Sequence, residues 1–498
     1  MADARLEQLA GGRLGPLLLR YSWPALVSMA LNSLYTVVDR VFIGKFGSVA
    51  DPSLCSHVLA GLSLSFPLLM AVAAFGVMIG VGSASMISIR LGEGRRGEAE
   101  KLLGQCVALK LAMAAFAPLL FFFARDIYAV LGGAKVSPAA LDAAACYTRT
   151  LAFSLVFSHL AFGMSACMRA EGAPAESMKC MIVGFGANFV LDPLFIWAFQ
   201  AVGPVRDFFG AANAGLAGAA WATNVAMFLS CAKAMSYYAR GRSSVRLRAS
   251  AVRIWRGSFG RVLAIGLSPF LQQIVGAAAA LSLNASLAIW AADELDATRQ
   301  VAVAGMFSTV VIVFLMPIMG MQQGLAPILG YGWGARRFDR VRDALAIGLK
   351  LTGAVCFAVF AAVMVFARPI CWCLADAGTD GLIDTAARVI RLSNCLVFCI
   401  FVNITATTYY QSIGRPAYAI GLSFMRQGLC LIPCIWLLPL AFQGDPVAAI
   451  WAATPASDLL ACIATIPFLA REWRFLGRVA GKAKARWMRA AAAAPPAA

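Results

Sequence analysis

Charge is scarce in this 498-residue chain, and histidine is scarcer. Asp, Glu, Lys and Arg together make up 13% of it, against about a quarter in soluble domains. That shortfall, with apolar runs too long and too many for a soluble core, excludes a water-soluble fold. The two histidines, His57 and His159, supply no paired imidazoles, and no Ser/His/acid set accompanies them. An enzyme is therefore not expected. No nucleotide-binding motif is visible: Gly76, Gly80 and Gly82 lie inside an apolar helix, where small residues permit close packing. The 14 cysteines lack paired spacing, and Cys371-Trp-Cys373 is too tight for a metal knuckle. They read as small buried apolar residues, and no cofactor is expected.

What remains is strongly apolar, 61% hydrophobic with a mean hydropathy of +0.78. The expected fold class is an all-α polytopic membrane protein. Twelve spans are expected at about 16–43, 58–89, 102–124, 143–168, 178–201 and 214–238, then 260–290, 301–331, 343–367, 387–411, 417–442 and 447–470. Residues 1–20 are short and mixed in charge and run into a long helix, so no cleavable signal peptide is expected. The net charge of +18 does not mark a nucleic-acid footprint. Its cations gather in alternate loops: Arg90 to Lys101, Arg169 and Lys179, the run Arg240 to Arg261, Arg336 to Arg342, and the tail from Arg471 to Arg489. The intervening loops hold only Lys45, Lys135, Arg206 and Arg299 or similar isolated cations. This is the positive-inside pattern, and it puts both termini in the cytoplasm of an inner-membrane protein.

The chain also repeats itself. Pro24 and Asp39 match Pro269 and Asn284, while Gly80, Gly92 and Gly94 match Gly320, Gly332 and Gly334. Gly172-Ala-Pro174 matches Gly414-Arg-Pro416, and Trp221 matches Trp451. Six spans per half is an even number, so the halves form a parallel repeat about an axis along the membrane normal. The expected organisation is an N-terminal lobe at 1–240, an Arg-rich cytoplasmic linker at 241–259, and a C-terminal lobe at 260–475. A disordered basic and Ala/Pro-rich tail is expected at 476–498.

Polar groups inside the spans are the candidates for function, because a carboxylate in hydrocarbon costs about 2.5–3.5 kcal/mol even on a lenient scale. Asn188 and Asp192 are four residues apart, one turn of a helix, and Pro193 is expected to open the helix there. At 1.5 Å per residue, Asp192 and Thr223 each lie about 14 Å from the outer surface, and Asp39 sits in the same outer half. Asp39, Asn188, Asp192 and Thr223 can thus surround one pocket, with oxygen ligands suited to a hard cation or a shared proton. Asp39-Arg40 could instead mark a helix end at the interface. The repeat partners of the two acids are Asn284 and Ile432, so the core acids belong to the first half. Asp458 could be a second titrating group or could pair with a nearby donor, and His159 could relay protons or simply be bonded in the core. Gln272, Gln273, Gln322 and Gln323 could line a substrate cavity or hold helices together. Arg169 and Arg426 could bind lipid headgroups or close an inner gate.

The first span, Trp23-Pro-Ala…Asn32…Val38-Asp-Arg-Val-Phe-Ile-Gly44, resembles the opening helix of multidrug and toxic compound extrusion (MATE) transporters. Met168-Arg-Ala-Glu-Gly172, Leu191-Asp-Pro193, Gly218-Ala-Ala-Trp-Ala-Thr223, Gly330-Tyr-Gly-Trp-Gly-Ala335 and Gln411-Ser-Ile-Gly-Arg415 resemble further motifs of that family. The resemblance spans about residues 14 to 470. It implies two six-helix lobes around a V-shaped cavity and export of amphipathic, cationic drugs by antiport with Na+ or H+. In the branch with its acids in the N-terminal lobe, the cation site matches Asp39, Asn188, Asp192 and Thr223 here. The other branch places acids in the C-terminal lobe, where this chain offers Asn284, Asn394 and Asn403. The substrate cavity would then draw on Gln272, Gln273, Asn284, Gln322 and Asn403. A monomer in contact with membrane lipids is expected, with no nucleic-acid partner. A lipid-linked glycan flippase of the wider superfamily would share the build but should favour a strongly cationic cavity.

Overall fold

The computed structural model describes residues 2–46, 52–132, 137–210, 213–291, 293–374 and 380–492. Within those ranges the side chains of 2–5, 33, 36–46, 52–60, 63, 131–132, 294–295, 297–298, 373–374, 380 and 482–492 lie outside the description. In chain order the helices are α1 (Ala2–Gly11), α2 (Leu14–Phe46), α3 (Pro52–Gly92), α4 (Arg96–Ala112), α5 (Phe116–Gly132), α6 (Pro138–Ala152), α7 (Ser154–Ala170), α8 (Pro174–Ala201) and α9 (Gly203–Phe209). They continue as α10 (Ala214–Ala239), α11 (Arg256–Trp290), α12 (Glu294–Gly334), α13 (Phe338–Leu374), α14 (Asp380–Asn394), α15 (Ile400–Ser412), α16 (Pro416–Phe424), α17 (Ile432–Ala441) and α18 (Pro446–Ala492). No strand occurs among the described residues.

Among the described residues ten segments are long and apolar enough to cross a bilayer, and α6 with α7, bent by 56°, make an eleventh. Helix α2, at 33 residues, is also long enough to cross and completes the expected twelve. A helix is the only open-ended way to satisfy every backbone group in hydrocarbon, so the apolar runs fold this way throughout.

Two compact units emerge. The first holds residues 1–5, 23–87 and 96–274; the second holds 6–22, 88–95 and 275–498. The chain therefore does not divide cleanly at the linker: the start of α2 belongs to the second unit and the start of α11 to the first. Missing side chains permit this. A Cβ on Gly82 of α3 would lie 2.0 Å from the Val262 carbonyl oxygen of α11, and one on Gly324 of α12 would lie 2.6 Å from the Ser22 Cα of α2. Only glycine lets the backbones approach so closely.

The repeat seen in the sequence is also local geometry. Helix α7 ends with Ala173 N–H donating to the Met168 carbonyl (2.8 Å), and α15 ends with Arg415 N–H donating to Tyr410 (2.9 Å). In both, the preceding glycine is left-handed, Gly172 at φ 90° and Gly414 at φ 73°, and a proline then starts the next helix. Helices α3 and α12 share the same closure, Arg95 to Arg90 and Arg337 to Gly332.

Two expectations are corrected. Helix α8 runs unbroken through Pro193, because neighbouring helices can re-satisfy the backbone group that the ring leaves without a donor. The tail expected to be disordered continues α18 to Ala492, since Ala, Lys and Arg are strong helix formers.

Candidate functional site

In the first unit, α8 and α10 pack at very short range. A Cβ on Gly218 of α10 would lie 2.5 Å from the Phe195 carbonyl oxygen of α8, and one on Gly184 of α8 would lie 2.9 Å from the Ser230 Cβ. Ser230 Oγ donates across the same seam to the Cys180 carbonyl at 2.9 Å. This approach carries Thr223 to the polar face of α8. Asn188 Nδ2 donates to Asp192 Oδ1 at 2.9 Å and to Thr223 Oγ1 at 3.3 Å. Tyr35 of α2 brings its hydroxyl within 3.5 Å of Thr223 Oγ1, and its ring stacks on Phe185 at 5.4 Å. Asp192 and Asn188 are 0% and 1% exposed. Beneath them Met181, Phe185 and Met227 form an apolar floor.

One atom in this cluster stands out. Asn188 Oδ1 is fully buried and accepts no hydrogen bond. A buried acceptor left open costs about 1–3 kcal/mol unless something supplies a partner. Every polar side-chain group here other than the Asn188 amide nitrogen is an oxygen, and no group of three or more His, Cys, Asp or Glu suited to a metal occurs among the described residues. The donor set fits a hard monovalent cation or a proton, and it does not fit a transition metal. The backbone of Asp39 lies within α2, but its side chain falls outside the described residues, as does that of His57.

The other candidates are scattered. His159 of α7 is buried, its Nε2 makes no hydrogen bond, and it packs against Gly76, whose added Cβ would lie 2.2 Å from Nδ1. Gln272 and Gln273 on α11 are half-buried, and Asn284 on the same helix is exposed. Gln322, by contrast, is buried and donates to Thr352 Oγ1 (3.0 Å) and Thr405 Oγ1 (3.3 Å). Asn403 donates to the Leu422 carbonyl (3.2 Å) and Thr465 Oγ1 (3.1 Å), and Asn394 bonds its own turn at Ile390. Asp458 accepts from Arg426 Nε at 2.8 Å. Arg169 is tied to Ser165 and Ser177 at 3.1 and 2.8 Å, so its charge is spent inside the unit.

The sequence reading passed over Lys110. It is 1% exposed, its Nζ donates to the Gly76 carbonyl, and its methylenes fill the space left by Gly163. The sign was present: one lysine inside an apolar run at 102–124. An intramembrane cation of that kind always asks for a partner.

Long apolar helices, a twofold repeat and a buried oxygen cluster at mid-span define a helical membrane transporter. The chain belongs to the MatE family, whose model matches residues 24–194 and 271–437; it is a transporter and not an enzyme. Among known proteins it is similar to the multidrug export protein MepA of Staphylococcus aureus (strain NCTC 8325 / PS 47), 22% identical over 473 residues, covering 95% of this chain and 97% of the relative. Its fold matches a MATE protein solved in complex with MaL6, at a TM-score of 0.83 and 22% identity, covering 95% of this chain and 99% of that one. It also matches a multidrug resistance MATE family transporter of the MOP superfamily in its outward-facing conformation, at 0.83 and 21%, with 95% and 98% covered.

Proposed function

We propose that this chain is a secondary active exporter of amphipathic, cationic organic compounds, driven by entry of Na+ or H+ and working by alternating access. The relatives named for multidrug export support the cargo, and the first unit supports the coupling. The observation that carries it is the open Asn188 Oδ1, buried beside Asp192 and Thr223. With Asp39 added from α2, the cluster would hold the coupling ion, as in the family branch whose acids lie in the N-terminal lobe. An ion entering this carboxylate site and a cationic drug need only prefer opposite-facing states for one to drive the other.

Gln272, Gln273 and Asn284 keep exposure inside a membrane-spanning helix, which suits substrate contact. Gln322 and Asn403 spend their amides on neighbouring helices and are assigned to holding the second unit together. The alternation of basic loops supports an inner-membrane orientation with both termini cytoplasmic, and a monomer in contact with lipids is proposed with it.

The test is dye efflux from vesicles holding the full chain, driven by an imposed sodium gradient or an imposed pH gradient, repeated with Asp39→Asn and Asp192→Asn. Efflux under one gradient, lost in both variants, establishes antiport and names the ion. Undiminished efflux in both variants discards the ion site. A folded protein that moves no dye under either gradient would instead point to flipping of a lipid-linked amphiphile.

A further inference from the structure

The second unit buries a charge pair at a place where the helix geometry changes. Between α16 and α17 the chain makes a π-turn, Met425–Leu431, a wide turn found often at functional positions. Arg426 stands on it. Arg426 lies ten residues into the span Pro416–Ala441, about 15 Å from its start at 1.5 Å per residue, and so near the middle of a hydrocarbon core about 30 Å thick. Asp458, on α18, is 2% exposed and among the described residues accepts from Arg426 Nε alone.

The pairing is one-sided. A guanidinium has five N–H donors, and only Nε is used here. Nη1 and Nη2 make no hydrogen bond among the described residues, and neither is a fully enclosed atom. The Arg426 side chain keeps 15% exposure against 1% for Asp458. A guanidinium fork open at mid-membrane depth cannot face hydrocarbon without great cost, so its open side meets water or a polar ligand. On the same turn Gln427 keeps a buried Oε1 without a partner, packed against Gly276. A structural ion pair would close on itself, typically through two parallel N–H···O bonds; this one leaves the bidentate edge free.

We propose that Arg426 is a binding site for the oxyanion, carboxylate or phosphate, of an amphiphile that this chain transports. Asp458 is the positioning residue that fixes the guanidinium so that Nη1 and Nη2 present their paired donors. The inference rests on the export reading above and narrows its cargo: molecules carrying both a cation and an oxyanion are substrates, not simple organic cations alone.

A matched pair of dyes tests it: a rhodamine with a free carboxylate, which is a zwitterion, and its ethyl ester, which is a cation with the same chromophore. Binding to the purified full chain is read by fluorescence anisotropy, and efflux from vesicles is measured in parallel. The variant is Arg426→Gln with Asp458→Asn, which removes both charges together and strands neither. Expected is weakening of acid binding by about tenfold, the scale of a hydrogen bond to a charged group, with ester binding and the unfolding temperature unchanged. Arg426→Lys, which keeps the charge but loses the fork, should weaken the acid too. Equal binding of the acid by wild type and double variant, or equal weakening of acid and ester, overturns the site. Displacement of the acid by dodecyl phosphate with no effect of inorganic phosphate supports a lipid-like phosphate as the occupant; displacement by neither leaves the carboxylate. Absence of ester efflux from wild type under both gradients counts against the export reading, while the binding ratio still decides Arg426.

Discussion

In the first unit, Asp192 lies fully buried beside an amide and a hydroxyl; in the second, Asp458 lies almost as deep but against a guanidinium. Lys110 repeats the first pattern, donating to a backbone carbonyl with no ion pair among the described residues. Glu472 repeats the second, held by Arg415 at 2.9 Å and by the Tyr409 hydroxyl at 3.1 Å. The physics of the two arrangements differs. Removing either member of a buried carboxylate–guanidinium pair strands the other. The carboxylate of Asp192 lies instead beside an open acceptor, Asn188 Oδ1, which offers a second oxygen to a cation. Under the proposed function the first unit would exchange an ion, and the repeat positions Asn284 and Ile432 carry no acid to do the same.

The largest effect should come from Asp192→Asn, which removes the exchangeable charge. Ion-driven dye efflux should fall to the level of vesicles without protein, while the unfolding temperature stays near that of wild type. Persisting ion-driven efflux would erase the contrast between the units.

Next comes the fixed pair. Arg426→Gln alone, or Asp458→Asn alone, should cost about 3–5 kcal/mol, because each leaves one buried group without its partner. The double variant should recover most of that, and thermal unfolding of the three in detergent measures the coupling. Simple additivity would mean that the pair is not energetically linked.

Gly218→Ala sharpens the comparison from the packing side. Its Cβ would meet the Phe195 carbonyl oxygen at 2.5 Å, so α8 and α10 must part. A stability loss of about 1–3 kcal/mol is expected, with slower ion-driven efflux as Thr223 withdraws from Asn188. Loss of stability with unchanged efflux would show that the Thr223 contact is dispensable.

The smallest effect is expected at Gln322→Leu. Its two bonds to Thr352 and Thr405 are of the ordinary helix-to-helix kind, so the cost should be about 1 kcal/mol with efflux of both dyes retained. A selective loss of one dye would move Gln322 into the substrate path.

How much of this could be read from residues alone follows from what each feature depends on. The spans, the basic loops and the doubled motifs depend on composition and spacing, which hydrocarbon and the helix impose directly. The Asn188–Asp192 bond was legible for the same reason, since i and i+4 on one helix must be neighbours. Thr223 was placed near them by depth and family resemblance, but its 3.3 Å contact depends on Gly184 and Gly218 letting two helices close together.

The apolar runs and their spacing by themselves determined a helical, membrane-spanning, internally repeated protein. Tertiary structure alone decided that Arg426 Nε pairs with Asp458, and that Gln322 and Asn403 face other helices. It alone revealed that Lys110 donates to the Gly76 carbonyl. Those outcomes join residues 19 to 83 positions apart, and no periodicity along one helix carries information about which face of another will meet it.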